Sequence, residues 1–187
     1  ESRTWNCTGR IELGGDPIVC SGVHGEQRIG HAFANSCNVV FAELAVELGA
    51  DTLKRYTEQA GLTSRYSVDG LPTARGSFSW EGMDEGRLGW AGVGQDQNLV
   101  NPCALMVYMG AVANGGKAAE PYLILKTKNA LGVSSLPHVT RHTDTLVSAQ
   151  TAEALAELLA DNVAKAYGQK RFPNMDLCAK SGTAEVG

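Results

Sequence analysis

The chain has 187 residues, with 16 Lys+Arg against 20 Asp+Glu and a formal charge of −4. Its 43% apolar and 19% charged residues exclude a disordered chain, and the length suits one domain with a sizeable core or a piece of something larger. A mildly acidic balance without a Lys/Arg cluster excludes a nucleic-acid-binding surface. The longest uncharged run, Gln97–Gly116, is interrupted by Asn98, Asn101, Pro102 and Asn114. Its continuous apolar part, Cys103–Ala113, is too short for a bilayer and reads as a buried helix. No signal peptide is evident and Glu1 is not an initiator Met, so the expectation is a processed or partial chain.

In chain order, residues 1–27 are rich in Gly and turn formers, with β-like pieces at Ile11–Leu13 and Pro17–Cys20. A helix is predicted over Gln27–Ala34, stopping near Asn35. A second begins around Asn38, where Val39, Val40, Leu44, Ala45 and Leu48 form a stripe of helical period, and Gly49 ends it. Asp51 can cap a third, Thr52–Ala60, closed by Gly61. Residues 62–98 are Gly-rich with little apolar periodicity and read as a long loop or short hairpins, a type of segment that more often binds than merely connects. Asn101-Pro102 is an N-cap followed by Pro at N1, opening a helix apolar nearly all round and therefore central to a core. Asn114-Gly115-Gly116 stops it. Pro121–Lys128 and His138–Arg141 read as strands. Ser148 opens the longest helix, with Leu155, Leu159 and Val163 on one face and Gly168 at its end. Leu177–Val186 reads as a last strand.

The five cysteines are 7, 20, 37, 103 and 178, too few for a disulfide scaffold. Cys7 and Cys20 flank a Gly-rich stretch that can fold back as a hairpin. Three readings stay open for them: free thiols first, a disulfide second, and last a metal site with His24. The C-x12-C-x3-H spacing fits no common zinc pattern, so no metal and no cofactor are expected. Cys103 and Cys178 read as inert core residues.

Two short strings carry chemistry. Ser36-Cys37-Asn38 lies between two predicted helices, where taken alone it reads as a helix N-cap. Lys180-Ser181-Gly182-Thr183 lies on the last predicted strand, where taken alone it reads as an exposed strand end. In this order, S-x-N followed by K-[ST]-G-T is the second and third signature of the penicillin-recognising serine acyltransferases. The chain resembles the transpeptidase domain of class B penicillin-binding proteins, the septal and elongation-type peptidoglycan cross-linking enzymes. The matching stretches are His24-Gly25, Ala32–Gly49, Gly92–Gln95, Asn101–Gly116, Glu120-Pro121-Tyr122 and Ala179–Gly187. Two positions depart from the pattern. Asp96 stands where the family usually has Gly, and Asn101-Pro102 where it usually has Thr-Pro.

The resemblance implies an α+β fold, the central part of a serine β-lactamase-like transpeptidase: mostly the helical subdomain plus the strand carrying KSGT. The first signature, S-x-x-K, is absent, since none of the seven lysines (54, 117, 126, 128, 165, 170, 180) has a serine three residues before it. Residues 1–187 therefore read as a partial transpeptidase domain, lacking the upstream nucleophile segment and the C-terminal strands and helix, and inactive alone. In the complete enzyme, acyl transfer from a D-Ala-D-Ala stem peptide passes through a serine ester. Ser36 is expected to relay a proton toward the leaving D-Ala, Asn38 to hold the substrate backbone, and Lys180 to supply a positive charge for the terminal carboxylate. Ser181, Gly182 and Thr183 are expected to bind the substrate along the strand. β-Lactams are expected pseudo-substrates. His24 and His31 read as structural; Trp80 and Trp90 as half-buried packing or groove lining; Glu43 and Glu47 as a solvated face. Alternatives are a serine β-lactamase, disfavoured by the long step from Ser36 to Lys180 and the lack of an E-x-x-L-N stretch, and a silent β-lactam sensor or scaffold. The expected setting is the outer face of a bacterial membrane, in a membrane-anchored protein with cell-wall synthesis partners. Self-association through the final strand is also expected.

Overall fold

The computed structural model describes residues 3–182. These divide into two units, the first of residues 3–55, 78–98 and 154–182, the second of residues 56–77 and 99–153.

In the first unit, β1 (Trp5–Cys7) pairs antiparallel with β4 (Gly25–Gln27), Cys7 opposite Gly25. Between them runs the hairpin of β2 (Arg10–Leu13) and β3 (Asp16–Val19). Gly14 and Gly15 both take positive φ (58° and 90°), as a tight two-residue turn requires. The short α1 (Ile29–Ala34) follows, then α2 (Asn38–Leu48) and α3 (Ala50–Gln59), which continues into the second unit. The core gathers Cys7, Cys20, Cys37, Ala32, Val39 and Val40, with Trp5, Ile11 and Leu44 packed against it.

The segment read as a loop contains a helix, α4 (Glu85–Gly92), whose N-cap Asp84 accepts a hydrogen bond from the Arg87 N–H at 2.8 Å. Three glycines in eight residues hide it from propensity, yet two of them are what let it dock on α2. A Cβ on Gly89 would lie 2.6 Å from Ile18 and 3.3 Å from Ala42; one on Gly92 would strike the Ala45 methyl and lie 2.9 Å from the Phe41 carbonyl oxygen. Helix α6 (Ala149–Asn162), which belongs to this unit from Ala154 onward, buries Leu159 and passes through a π turn (Val163–Tyr167) to Gly168. Residues 177–182 form no ladder, which corrects the strand expected there; the rest of that expectation lies outside the described residues. They are tied instead to α6, where Asn162 Nδ2 donates to the Ala179 carbonyl at 2.6 Å and the Ala179 N–H to the Leu159 carbonyl at 3.4 Å.

In the second unit, β5 (Ser67–Val68) and β6 (Leu71–Pro72) form a small hairpin turned by Asp69 and Gly70. Helix α5 (Pro102–Ala113) starts as expected, the Asn101 side chain accepting from the Cys103 and Ala104 N–H groups. It is not central: Val107 and Ala111 are buried with Ala118 and Leu146, but Leu105 and Met106 are 48% and 59% exposed. Gly116 (φ 104°) closes against the Val147 carbonyl, where a Cβ has no room. The expected strands Pro121–Lys128 and His138–Arg141 are joined by one backbone bond, His138 N–H to the Leu125 carbonyl at 2.7 Å, without a regular ladder. No helix among the described residues is long and apolar enough to cross a membrane.

On an exposed helix, Gly→Ala stabilises by about 1 kcal/mol. Gly92→Ala is expected to do the opposite, costing about 1–3 kcal/mol through overpacking against α2, read as a lowered urea midpoint at unchanged slope.

Candidate functional site

The loop between α1 and α2 splits three consecutive side chains between two environments. Ser36 takes φ 51°, unusual for a residue with a Cβ. Its N–H donates to the Phe33 carbonyl at 3.1 Å, and that of Cys37 to the Ala32 carbonyl at 2.9 Å. Cys37 is fully buried, whereas Ser36 is exposed and Asn38 half-buried. The N-cap of α2 is Cys37, with no side-chain capping bond, so neither Ser36 nor Asn38 is the cap that the string taken alone suggests. Asn38 Nδ2 instead donates to the Val19 carbonyl at 2.8 Å, tying the start of α2 to the end of β3.

Lys180 Nζ donates to Ser36 Oγ and, at 3.1 Å, to the Ser181 carbonyl, and it lies 5.9 Å from the centre of the Phe33 ring. The Ser181 N–H donates to the Tyr167 hydroxyl at 2.7 Å. Hydrogen bonding from the Ser181 side chain first, then from Asn162 and this backbone N–H, holds the Tyr167 pKa below its ordinary value. Tyr167 was not singled out from sequence, because nothing about a lone tyrosine after a helix signals it.

These residues border a cleft of about 1080 Å³ whose walls include Ser36, Asn38, Lys180, Ser181 and Gly182. Five of the six candidate site residues therefore meet in one place; Thr183 lies outside the described residues. Trp90 also lines the cleft, while Trp80 stacks on Phe78 at 5.8 Å. Among the described lining residues Lys180 is the single charged side chain, so the cleft favours a ligand with an anionic end.

The loop after α4, Val93–Gln95, completes one wall. Asp96, beyond it, holds φ 62°, the left-handed conformation natural to the Gly that usually stands there. Its carboxylate receives Arg87 Nε at 3.2 Å and Nη2 at 3.1 Å. The Arg87 guanidinium thereby holds the Asp96 pKa below its ordinary 3.8.

Beneath the α1–α2 loop, Cys7, Cys20, His24 and Cys37 place their potential ligand atoms within 4.8 Å of one another. All five cysteines are free thiols. Cys37 was overlooked because the S-x-N reading gave its middle position no task. Cys178 is exposed, correcting its assignment to the core. Burial pushes the Cys37 thiol up to about 12. Burial would also raise that of Cys20, but the Val39 and Asn38 N–H groups on its sulfur bring it below the usual 9.0. Glu47 pairs with Arg3 at 2.7 Å on the surface, as a solvated face implies.

Comparison with known proteins bears on the same residues. The family model of the penicillin-binding protein transpeptidase domain matches residues 17–187. Peptidoglycan D,D-transpeptidase PbpA of Mycobacterium tuberculosis is 32% identical over 160 residues, 83% of this chain and 32% of the relative. Stage V sporulation protein D of Bacillus subtilis is 26% identical over 186 residues, 95% of this chain and 28% of that protein. The chain thus spans about a third of the length of these curated relatives. Among solved structures, the D,D-transpeptidase domain of a peptidoglycan glycosyltransferase from Eggerthella lenta superposes with TM-score 0.88 at 26% identity, covering 100% of this chain and 49% of that one. A ceftriaxone acyl-enzyme complex of penicillin-binding protein A from M. tuberculosis gives TM-score 0.88 at 26% identity, covering 99% and 43%.

The Asp96–Arg87 pair sets an acid-dependent increment of stability. A carboxylate whose folded pKa is depressed stabilises fully above its unfolded value and loses that contribution as pH falls through the lower folded value. Asp96→Asn is expected to cost at most about 1 kcal/mol near neutral pH, as for a surface pair. The gap between the two proteins should begin to narrow as the pH falls through the ordinary Asp value of 3.8 and shrink further on acidification, measured by urea denaturation across that range.

Proposed function

The chain belongs to the penicillin-binding protein transpeptidase domain family, with an α+β fold of that type, and from this premise we propose that it forms part of a peptidoglycan D,D-transpeptidase acting through an acyl-serine intermediate on D-Ala-D-Ala stem peptides. The observation that carries the reading is the Lys180 ammonium hydrogen-bonded to the Ser36 hydroxyl in a cleft whose lining, among the described residues, holds no other charge. A positive charge there suits the terminal carboxylate of the stem peptide, and a hydroxyl in contact with it suits transfer of a proton to the departing D-Ala. Asn38, half-exposed at the cleft wall, offers an amide that both donates and accepts toward the substrate backbone. Ser181 and Gly182 present backbone and hydroxyl groups beside Lys180, and Thr183 is assigned the adjoining oxyanion N–H.

No S-x-x-K occurs in these residues, so the reading assigns the nucleophile to polypeptide additional to them, and acyl transfer to the protein so completed. β-Lactams are assigned as pseudo-substrates; the acyl-enzyme complexes described for the M. tuberculosis relative support this. The reading places the protein at the outer face of a bacterial membrane, anchored there among cell-wall synthesis partners. Association between copies through residues 177–187 is part of the same expectation.

The test is acylation by fluorescent penicillin in the intact polypeptide carrying this chain. Lys180→Ala and Ser36→Ala are each expected to slow labelling by about 10²–10⁴-fold, the range for loss of a positioned proton-transfer group, with thermal melting little changed. Label that survives for hours supports transpeptidase chemistry, whereas rapid release points to a β-lactamase. Unchanged labelling in both variants removes Ser36 and Lys180 from the mechanism.

A further inference from the structure

Cys7, Cys20, His24 and Cys37 arrive from four separate places: the end of β1, the residue after β3, the residue before β4 and the N-cap of α2. Together they spell C-x12-C-x3-H-x12-C. A disulfide can engage two of the three thiols and strands the third, and it leaves the imidazole without a task. The distances fit another arrangement. Cys20 Sγ lies 3.8 Å from Cys37 Sγ and 3.5 Å from His24 Nδ1. With metal–sulfur bonds of about 2.3 Å and metal–nitrogen bonds of about 2.0–2.1 Å, a tetrahedral zinc site has edges of about 3.8 Å and about 3.6 Å. Two edges therefore already match such a site, and all four ligand atoms lie within 4.8 Å of one another, close enough for one ion to reach them all.

The surroundings are suited to thiolates as well. Backbone N–H groups of Asn38 and Val39 bond to the sulfur of Cys20, and that of Val40 to the sulfur of Cys37. Outer bonds of this kind orient metal ligands and spread their charge. Cys37 adds the first turn of α2, where the helix dipole favours negative charge. The three cysteines are buried, so water gives their sulfurs little stabilisation, and a divalent cation would supply it.

We propose that Cys7, Cys20, His24 and Cys37 form a structural zinc site that clamps the β1–β4 strands and the end of β3 to the loop presenting Ser36 and Asn38. Zn²⁺ binding displaces the thiol protons to solvent and forms three Zn–S bonds and one Zn–N bond, with no change of oxidation state. Four protein ligands close the coordination sphere, so the metal binds no substrate and activates no water. Its effect on the cleft is positional: Cys37 lies between Ser36 and Asn38, and Cys20 adjoins the Val19 carbonyl that holds the Asn38 amide. The inference is independent of the reaction proposed above.

The experiment uses protein purified without chelators or metal columns. Elemental analysis is expected to find one zinc per chain. Replacement by cobalt(II) should give the intense thiolate-to-metal absorption and visible bands of a tetrahedral site. Stripping the metal with a strong chelator should lower the melting temperature by about 10 °C, restored by zinc but not by magnesium. Cys20→Ser and His24→Ala should lose the metal, whereas Cys178→Ser, at an exposed thiol outside the cluster, should keep it. Because a cluster variant can fail to fold, the cobalt spectrum and thiol-reagent-triggered zinc release from the unaltered protein also decide the matter. Metal-free protein showing no cobalt charge transfer, or an intact mass two hydrogens short from a disulfide among Cys7, Cys20 and Cys37, overturns the proposal.

Discussion

The architecture of the cleft turns on the opposed directions of three adjacent side chains. At residues 36–38 the chain must send a sulfur inward and a hydroxyl and an amide outward within one short turn. The left-handed conformation of Ser36 makes that reversal possible, and the burial of Cys37 makes it stable. An αL residue with a Cβ costs about 1–2 kcal/mol, and a buried small apolar side chain returns an amount of the same order. The cleft residues on either side owe their positions to the one that faces away from them. Asn38 strengthens the arrangement, since its amide bonds to the Val19 carbonyl rather than capping its own helix. The hairpin of β2 and β3 thus holds one side of the turn and the N-terminus of α2 the other.

Lys180 reaches this turn from far along the chain, and its surroundings explain its suitability. Its hydrogen-bond acceptors are a hydroxyl and a carbonyl, and an aromatic face lies near it; no carboxylate lines the cleft among the described residues. A lysine paired with an acid would be neutralised and would compete poorly for an incoming anion. One satisfied only by neutral dipoles keeps its field available to a ligand. The backbone beside it is held at two points, Ala179 by α6 and Ser181 by Tyr167, so the ammonium is positioned without a sheet ladder.

Much of this was legible in the sequence, and the exceptions have separable causes. The S-x-N and K-S-G strings point to a shared cleft only through their resemblance, in this order, to two family signatures; taken singly each reads as a cap or a strand end. Helix α5 after Asn101-Pro102 starts where its cap predicts, whereas α3 begins at Ala50, so Asp51 lies in its first turn rather than capping Thr52–Ala60. Helix α4 was hidden because its evidence lies in a partner: Gly89 and Gly92 look like breakers until Ala42 and Ala45 are seen against them. The strand at Pro121–Lys128 and the described part of the last one, residues 177–182, are read from composition, but a strand exists only where another backbone lies beside it in register, which no single segment encodes. Cys37 was missed for a different reason. A motif reading assigns roles to the fixed letters and leaves the variable one blank, and here the blank faces the core beside two other thiols and an imidazole.

Asp96 illustrates how a departure from a family pattern is absorbed physically. Gly adopts a φ of 62° without strain; Asp does so at a cost of order 1 kcal/mol, less than for most residues because its short side chain finds local partners. Here that partner is Arg87, one turn into α4, whose guanidinium meets both carboxylate oxygens. A two-point, charge-assisted bond of this kind at the surface is worth up to about 1 kcal/mol, so the pair roughly cancels the backbone strain. The substitution therefore keeps the path of the loop but changes what holds it. With Gly the turn rests on backbone freedom alone; with Asp it is fastened to the helix that packs through Gly89 and Gly92 on α2. The wall of the cleft at Val93–Gln95 is in this way joined through α4 to the same helix that begins at Asn38, and the opposite sides of the cleft share one mechanical support.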